Sequence, residues 1–317
     1  MSLLPIPPDA EAWHALRARH VGASEIAILF NAQPPYMRGV FALWQVKAGR
    51  VPREQVNHER AAWGLRLEDA IAEAAAIQEG WKVEPGVYAS RDGLGATLDR
   101  LIAAPGPDDD AAGFTGPGVL ELKSVDWMVH RRSWGAEPPM HILMQLQAQL
   151  AASGLSWGAV AALIGGNELR VWRYAARPKL QAEMLARVGA FWRSIAEDRP
   201  PSPDGSDQTY RALMVLEPEV VDEPAELEGD NEAPEMAAEF LRLSEQIKAD
   251  TARRDEIRNG LLAKLGGSKW GRVQGFRIAQ AVTAAKPDRP ARPDEVIKGR
   301  AESRRLIVTE DSKGEAA

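Results

Sequence analysis

The sequence contains no cysteine. This absence excludes disulfide bonds, thiol nucleophiles and cysteine-ligated zinc, and it fits a reducing cytoplasm, where we expect the protein to reside. No stretch approaches the roughly 20 consecutive apolar residues of a membrane-spanning helix, so we expect no membrane partner and no secretory leader. Hydrophobic residues nevertheless make up 45% of the chain, which is enough to build an ordinary globular core.

An excess of positive charge is also missing, because the formal net charge is −6. The acidity is concentrated in residues 198–235, which hold twelve acidic and two basic side chains. Residues 1–197 are nearly balanced, with 20 basic and 21 acidic side chains. Since a local groove responds to local charge, the overall sign does not exclude nucleic-acid binding.

Proline, glycine and acidic residues in this region predict a linker at 201–235. It would separate a domain at 1–200 from a C-terminal segment at 236–317. The latter is predicted to contain a helix at 236–265, a β-hairpin with a strand at 276–282, and a mobile tail from residue 286. In the first domain, hydrophobic periodicity predicts an α/β (α+β) fold. Its main helices are predicted at 59–79, 140–153 and 179–197, and its strands at 81–89, 95–103, 118–125, 157–164 and 168–174.

The segment 118-GVLELKSV-125 carries two charges within an apolar strand. Strand periodicity places Glu121 and Lys123 on one face and the flanking leucines on the other. Burying unpaired charges is costly, so the pair needs a partner, a task or a surface. Asp99 lies 22 residues upstream, and the glycine-rich loop between the two acids permits antiparallel pairing of their strands. Together these residues suit a divalent cation and a water molecule, whereas the alternative is a solvated surface pair.

Five segments follow one another along the chain: 13-WHALRARHVGASEI-26, 63-WGLRLEDAI-71, 96-ATLDRLI-102, 119-VLELKS-124 and 144-MQLQAQLAASG-154. Together they resemble a known family, the lambda-exonuclease-type, YqaJ-like viral recombinase nucleases of the PD-(D/E)xK superfamily. Leu98 and Arg100 replace the proline and glycine that usually flank the family's aspartate, and neither supplies a ligand.

The resemblance implies a restriction-endonuclease-like core, with a central mixed sheet flanked by helices, that uses two Mg²⁺ or Mn²⁺ ions. Asp99, Glu121 and the Leu122 carbonyl would hold the metal. Lys123 would activate the attacking water. The family's remaining catalytic positions correspond to Glu68, near the second metal or its water, and to Gln145.

The resemblance also implies a pocket for a 5′-terminal phosphate, formed by Arg17 and Ser24. An arginine fork and a hydroxyl near a helix N-terminus suit a phosphate dianion. Gln147 is a second-ranked substrate contact. Because Gln145 and Gln147 lie about 200° apart around a helix, both cannot face one site.

The implied activity is 5′-to-3′ exonuclease digestion of double-stranded DNA ends in phage-type recombination. A trimeric ring and a single-strand annealing protein would be the partners. One alternative is a related endonuclease of the restriction or CRISPR-adaptation type. A second is a non-catalytic DNA-binding protein of the same fold, but the presence of Asp99, Glu121 and Lys123 together argues against it.

Overall fold

A computed structural model of the protein describes residues 2–53, 58–227 and 229–281. The chain divides into a first compact unit through Val220 and a second from Val221. The helices of the first unit are α1 (Ala10–Ala18), α2 (Val40–Lys47), α3 (His58–Glu79), α4 (Pro107–Ala111), α5 (Trp127–Ser133), α6 (Met140–Ser153), α7 (Pro178–Ala196) and α8 (Asp207–Leu216), with a 3-10 helix at Ala23–Phe30. Its strands are β1 (Ser2–Leu4), β2 (Val21–Gly22), β3 (Lys82–Pro85), β4 (Tyr88–Arg91), β5 (Leu94–Thr97), β6 (Arg100–Ala104), β7 (Gly118–Val125), β8 (Trp157–Ile164) and β9 (Glu168–Ala175).

The strands form two sheets. The larger has the order β3-β6-β7-β8-β9, and its β7–β8 pair is parallel while its other pairs are antiparallel. The smaller has the order β1-β4-β5-β2. A mixed central sheet with helices packed on it confirms the predicted α/β class.

Two helices cover opposite faces of the larger sheet. On one face α3 packs Ile71 against Leu120 and Leu122 of β7. On the other face α6 packs against β7 and β8, in the cluster that contains Val119. Since successive strand residues point to opposite faces, this alternation directs Glu121 towards α6.

The chain reaches Asp99 through a tight turn and a close backbone crossing. Asp92 and Gly93 both have positive φ, 50° and 83°, as a two-residue hairpin turn between β4 and β5 requires. Beyond β5, the backbone passes so near Gly86 that a β-carbon there would lie 1.7 Å from the Leu98 carbonyl oxygen. Only glycine fits at this crossing, which carries Asp99 from the smaller sheet to the larger one.

Part of the predicted linker is a packed helix. The Ser206 side chain caps α8 by accepting a hydrogen bond from the Thr209 backbone N–H at 3.2 Å. One face of α8 is apolar, and its Ala212 is buried against Phe41 of α2. The acidic composition was therefore misleading for these residues, and the first unit extends beyond the predicted boundary at residue 200.

The second unit contains helix α9 (Ala233–Leu265) and an antiparallel hairpin of β10 (Trp270–Val273) and β11 (Phe276–Ala279). Both the helix and the hairpin were predicted from the sequence. The predicted tail from residue 286 lies outside the described residues. Every helix in the described ranges is too short or too polar to cross a membrane.

Candidate active site

Asp99 lies in the connection between β5 and β6, directly beside β7. Its Oδ2 accepts a hydrogen bond from the Leu122 backbone N–H at 2.8 Å. The antiparallel register pairs Arg100 with Leu120, which brings the residue preceding β6 level with the middle of β7. The predicted pairing of the two acidic strands is therefore observed.

Glu121 is a carboxylate inside the core, with 1% of its surface exposed. Three side chains donate hydrogen bonds to it. Gln145 of α6 donates to Oε1 at 2.6 Å, Gln149 donates to Oε2, and the Lys123 ammonium forms an ion pair with Oε1. A buried carboxylate with both oxygens bonded avoids most of the cost of leaving water.

Carboxyl groups lie close together in this site and have little contact with solvent, and this shifts the pKa of several of its side chains. Burial and the nearby Glu121 charge raise the pKa of Asp99 to about 8. Burial also raises the pKa of Glu68, against the opposing charge of Arg100. Burial alone would lower the pKa of Lys123, but Glu121 and Asp99 more than offset it and the pKa is raised. Lys123 is therefore an ammonium when these carboxylates have no other counter-ion.

Hard oxygen donors with mutual repulsion fit a divalent cation such as Mg²⁺. No three Asp, Glu or His side chains converge on one point within the part of the chain that the structure describes. Asp99 and Glu121 would therefore need carbonyl, water or substrate oxygens to complete a coordination shell. Mg²⁺ is commonly bound in this way, through one or two carboxylates plus waters and phosphates.

The loop that follows α1 forms a second polar region. The Arg17 guanidinium stacks over the Trp13 ring at 4.6 Å. Lys47 of α2 fixes the loop by donating to the carbonyl oxygens of Arg17, at 3.2 Å, and His20, at 2.7 Å. The Lys47 ammonium also pairs with Glu25 at 2.8 Å.

The field in this region is positive. Burial lowers the pKa of Lys47, Glu25 opposes this shift, and the charges of Arg17 and Arg38 lower the pKa further. The same Lys47 charge holds the pKa of Glu25 below its usual range although burial alone would raise it. With Glu25 engaged by Lys47, the Arg17 guanidinium is the group available to an anion.

The two regions open into one cleft of about 1220 Å³, which we call the first cleft. Its lining includes the site residues Arg17, Ser24, Glu68, Asp99 and Gln145. The structure thus brings most of the predicted catalytic and substrate-binding residues to one surface of the first unit.

Residues 12–156 match the model of the YqaJ-like viral recombinase domain. The chain is 24% identical over 277 residues to the uncharacterized protein YqaJ of Bacillus subtilis, a match that covers 84% of this chain and 82% of that protein.

Among solved structures, the chain is similar to an alkaline exonuclease from Laribacter hongkongensis, with a TM-score of 0.49 and 19% identity. That match covers 60% of this chain and 94% of the exonuclease. The LHK-Exo complex with dAMP gives a TM-score of 0.46 at 20% identity, with the same coverage of both chains.

One predicted substrate contact lies elsewhere. Gln147 is buried on another face of α6, where its Nε2 donates to the Ala175 carbonyl at 2.8 Å. Its Oε1 accepts from the Arg177 backbone N–H at 2.8 Å and from Gln181 at 3.3 Å. We therefore correct its assignment: Gln147 ties α6 to the start of α7, because a two-residue step on a helix turns a side chain away from the Gln145 face.

The prediction omitted two polar residues that the structure places at the candidate active site. Gln149 is fully buried: its Nε2 donates to Glu121 Oε2 and, at 3.4 Å, to the Thr97 carbonyl oxygen, whereas its Oε1 accepts no hydrogen bond from the described residues. Its spacing of four residues from Gln145, which places both on one helix face, was the available signal. Arg100 lies 4.0 Å from Glu68 and pairs with Asp69, a contact that no spacing rule predicts.

A second cleft of about 950 Å³ lies on the Lys123 side of the site. Glu68 lines both clefts. The rings of Trp63 and Trp127 line the second cleft and are 52% and 48% exposed. Arg66 stacks on Trp63 at 5.2 Å. Two half-exposed indole rings beside one cleft form an apolar surface that a ligand could cover.

Proposed function

We propose that this protein is a metal-dependent deoxyribonuclease that degrades double-stranded DNA from the 5′ end. One observation carries the proposal. Asp99, Glu121 and Lys123 meet beside a cleft that also contains Arg17 and Ser24. The residues proposed to cleave the phosphodiester and those proposed to bind the DNA end therefore lie at one surface. The sequence similarity to a viral recombinase family supports a DNA substrate.

In this proposal Asp99, Glu121 and the Leu122 carbonyl hold Mg²⁺ or Mn²⁺, and Glu68 serves a second ion or its water. A bound divalent ion supplies a more acidic water and stabilises negative charge on phosphate oxygens. The raised pKa of Asp99 supports this role, since burial and the neighbouring Glu121 charge both disfavour its carboxylate form and a bound cation would offset them.

Lys123 would have two protonation states in this mechanism. Its raised pKa depends on the free charges of Glu121 and Asp99. When those carboxylates are neutralised, burial remains as the main influence on the pKa, and burial lowers it. Lys123 would then be able to accept a proton from the attacking water, while Gln145 keeps Glu121 in place through its 2.6 Å hydrogen bond.

Arg17 and Ser24 would bind the 5′-terminal phosphate. The planar guanidinium can donate two parallel hydrogen bonds to a phosphate, and stacking on Trp13 limits its rotamers. A DNA end fixed at this point would present its first phosphodiesters along the first cleft. Binding of the terminal phosphate is what would make the enzyme an exonuclease rather than an endonuclease.

The second cleft would take nucleotides on the other side of the scissile bond. Trp63 and Trp127 offer aromatic faces for base stacking, which is tolerant of sequence and contributes about 1–3 kcal/mol per base. Lys123 borders this cleft, so stacked bases would adjoin the cleaved phosphate. The trimeric ring and the annealing partner stay predictions from the family resemblance.

The test compares three DNA substrates: linear duplex with 5′-phosphate, linear duplex with 5′-hydroxyl, and covalently closed circles. We expect mononucleotide release from linear DNA with Mg²⁺, none with EDTA, and no cleavage of circles. Asp99→Ala and Glu121→Gln should each abolish release, whereas Asp110→Ala, on exposed α4, is the matched control. Cleavage of circles would favour the endonuclease alternative. An active Asp99→Ala enzyme would overturn the site assignment.

A further inference from the structure

Helix α9 carries an apolar stripe that is exposed among the described residues of its unit, 221–227 and 229–281, although the helix also contacts β11. The helix is 33 residues long, and none of its residues is buried. Met236, Phe240, Leu243 and Ile247 follow one another at steps of four, three and four residues, and they are 42–67% exposed. Ile257 continues the stripe two heptads after Leu243. Such alternating steps of three and four are the a and d positions of a coiled-coil heptad.

Two charged residues interrupt this stripe at its middle. Continuing the steps of three and four from Ile247 leads to Asp250 and then to Arg254 before the stripe returns to Ile257. Asp250 accepts only a 3.0 Å hydrogen bond from Gln246 among its described contacts. Arg254 pairs at 3.3 Å with Asp255, a neighbour on an exposed surface. Neither charge has a strong partner within its own helix, since exposed pairs of this kind contribute little.

The stripe is symmetric about residue 252. Asp250 and Arg254 lie two positions on either side of it, Ile247 and Ile257 five positions, and Leu243 and Leu261 nine positions. When a second copy of the helix is laid alongside in the opposite direction and centred there, each a residue faces a d residue. In the three layers nearest the centre, leucine then meets leucine, isoleucine meets isoleucine and each acid meets a base, whereas Phe240 faces Lys264 beyond them.

We propose that α9 is a self-association surface whose partner is α9 of a second copy of this chain, in antiparallel orientation. Isoleucine and leucine layers would form the contact, and the Asp250 carboxylate of each copy would pair with the Arg254 guanidinium of the other. The two ion pairs are related by a two-fold axis, as an isologous dimer contact requires.

Charge decides the orientation. In a parallel pair or a parallel trimer, Asp250 would face Asp250 and Arg254 would face Arg254 inside the seam, and like charges in a contact are strongly unfavourable. In the antiparallel pair, the Arg253 side chains of the two copies lie beside the two-fold axis, outside the contact formed by the a and d residues. Each Arg253 is already engaged by Glu256 of its own helix at 2.7 Å, so its charge is locally balanced.

The absence of native cysteine allows a direct test by crosslinking in the full-length protein. Ile247→Cys and Ile257→Cys proteins are oxidised separately and as a mixture. The antiparallel contact predicts disulfide dimers mainly in the mixture, as heterodimers of the two variants. Crosslinking of Ile247→Cys with itself would indicate a parallel pair and overturn the proposal, as would no crosslinking in any sample at concentrations of tens of micromolar.

A charge-exchange series tests the ion pairs by sedimentation of the same full-length chain. Asp250→Arg and Arg254→Asp alone should each raise the dissociation constant at least about tenfold, because each places like charges opposite each other. The double variant restores opposite charges and should recover most of the affinity. A double variant as weak as either single one, or single variants as tight as the natural chain, would refute the pairing. This result is independent of nuclease activity.

Discussion

Replacement of Arg17 is the most discriminating test of how this protein would recognise DNA ends. The Arg17 side chain lines the first cleft together with Ser24 and stacks over Trp13. Arg17→Ala would remove the charge-assisted hydrogen bonds to a 5′-phosphate, which are typically worth about 1.5–3 kcal/mol. We therefore expect digestion of 5′-phosphorylated ends to slow by roughly tenfold to a hundredfold.

The quantity to measure is the ratio of kcat/KM for 5′-phosphate ends to that for 5′-hydroxyl ends, at one salt concentration. Loss of the stacking contact with Trp13 would cost about 0.5–1 kcal/mol in the protein itself, but this cost applies to both substrates and cancels in the ratio. Arg17→Lys should recover only part of the ratio, because an ammonium keeps the charge and loses the planar fork. Ser24→Ala should give a smaller loss in the same direction.

Arg19→Ala is the matched control, since Arg19 is an exposed arginine at the end of the same helix. Its replacement changes the net charge by the same amount as Arg17→Ala. General attraction of DNA would weaken equally in both variants, so the ratio should stay unchanged in Arg19→Ala. An Arg17→Ala enzyme with an unchanged ratio, or an Arg19→Ala enzyme with an equal loss, would refute end recognition by Arg17 and favour an endonuclease.

Three further predictions follow from the site. Asp99→Asn should raise the melting temperature of the metal-free protein, and by more at pH 9 than at pH 5. A pKa raised to about 8 means that the carboxylate opposes folding increasingly as the pH rises from about 4 to about 8. Equal gains in thermal melts at the two pH values would contradict this account. Gln147→Ala should lower the melting temperature by several degrees and leave turnover of the folded enzyme unchanged, whereas Gln145→Ala should slow turnover. If fully folded Gln147→Ala enzyme turned over slowly, Gln147 would have a role in the active site after all. Trp63→Ala should raise KM for duplex DNA about tenfold by loss of stacking, and steady-state kinetics with an unchanged KM would exclude the second cleft from substrate binding.

The elements with the strongest hydrophobic patterns were predicted accurately from the sequence. Strands β7, β8 and β9 and helices α6 and α7 begin and end within one residue of their predicted bounds. These elements are long, and their apolar residues repeat with a clear period. The pattern alone determines such elements because it decides which face is buried.

Two predicted strands proved to be four shorter ones. The region predicted as one strand at 81–89 divides at Gly86 into β3 and β4, and the region at 95–103 divides after Thr97 into β5 and β6. Each predicted strand crosses from one sheet to the other. The division depends on the contact between Gly86 and the Leu98 carbonyl, which is made by residues distant in sequence and leaves no local period.

The acidic part of the site was accessible to sequence reasoning, and its amide part only partly so. Asp99 directly precedes β6 and Glu121 lies on β7, two strands whose pairing follows from loop length, and Lys123 follows by alternation. The amide part consists of glutamines in one short run of α6. Gln145 and Gln149 face Glu121 and Gln147 does not, and this difference depends on which side of α6 faces the sheet. That direction is set by tertiary packing, which sequence spacing does not contain.

The buried charge of Glu121 explains why the site is compatible with a stable core. A single unpaired carboxylate at 1% exposure would destabilise the sheet. Here α6 presents two glutamine amides to Glu121, and β7 itself supplies Lys123 on the same face. These donors stabilise the carboxylate without a metal, so the sheet can fold in the absence of a bound cation. Asp99 has only the Leu122 backbone N–H as a described hydrogen-bond donor, and burial together with the Glu121 charge raises its pKa. The difference assigns separate parts to the two acids: Glu121 is fixed by the fold, and Asp99 is the carboxylate left in need of a counter-ion.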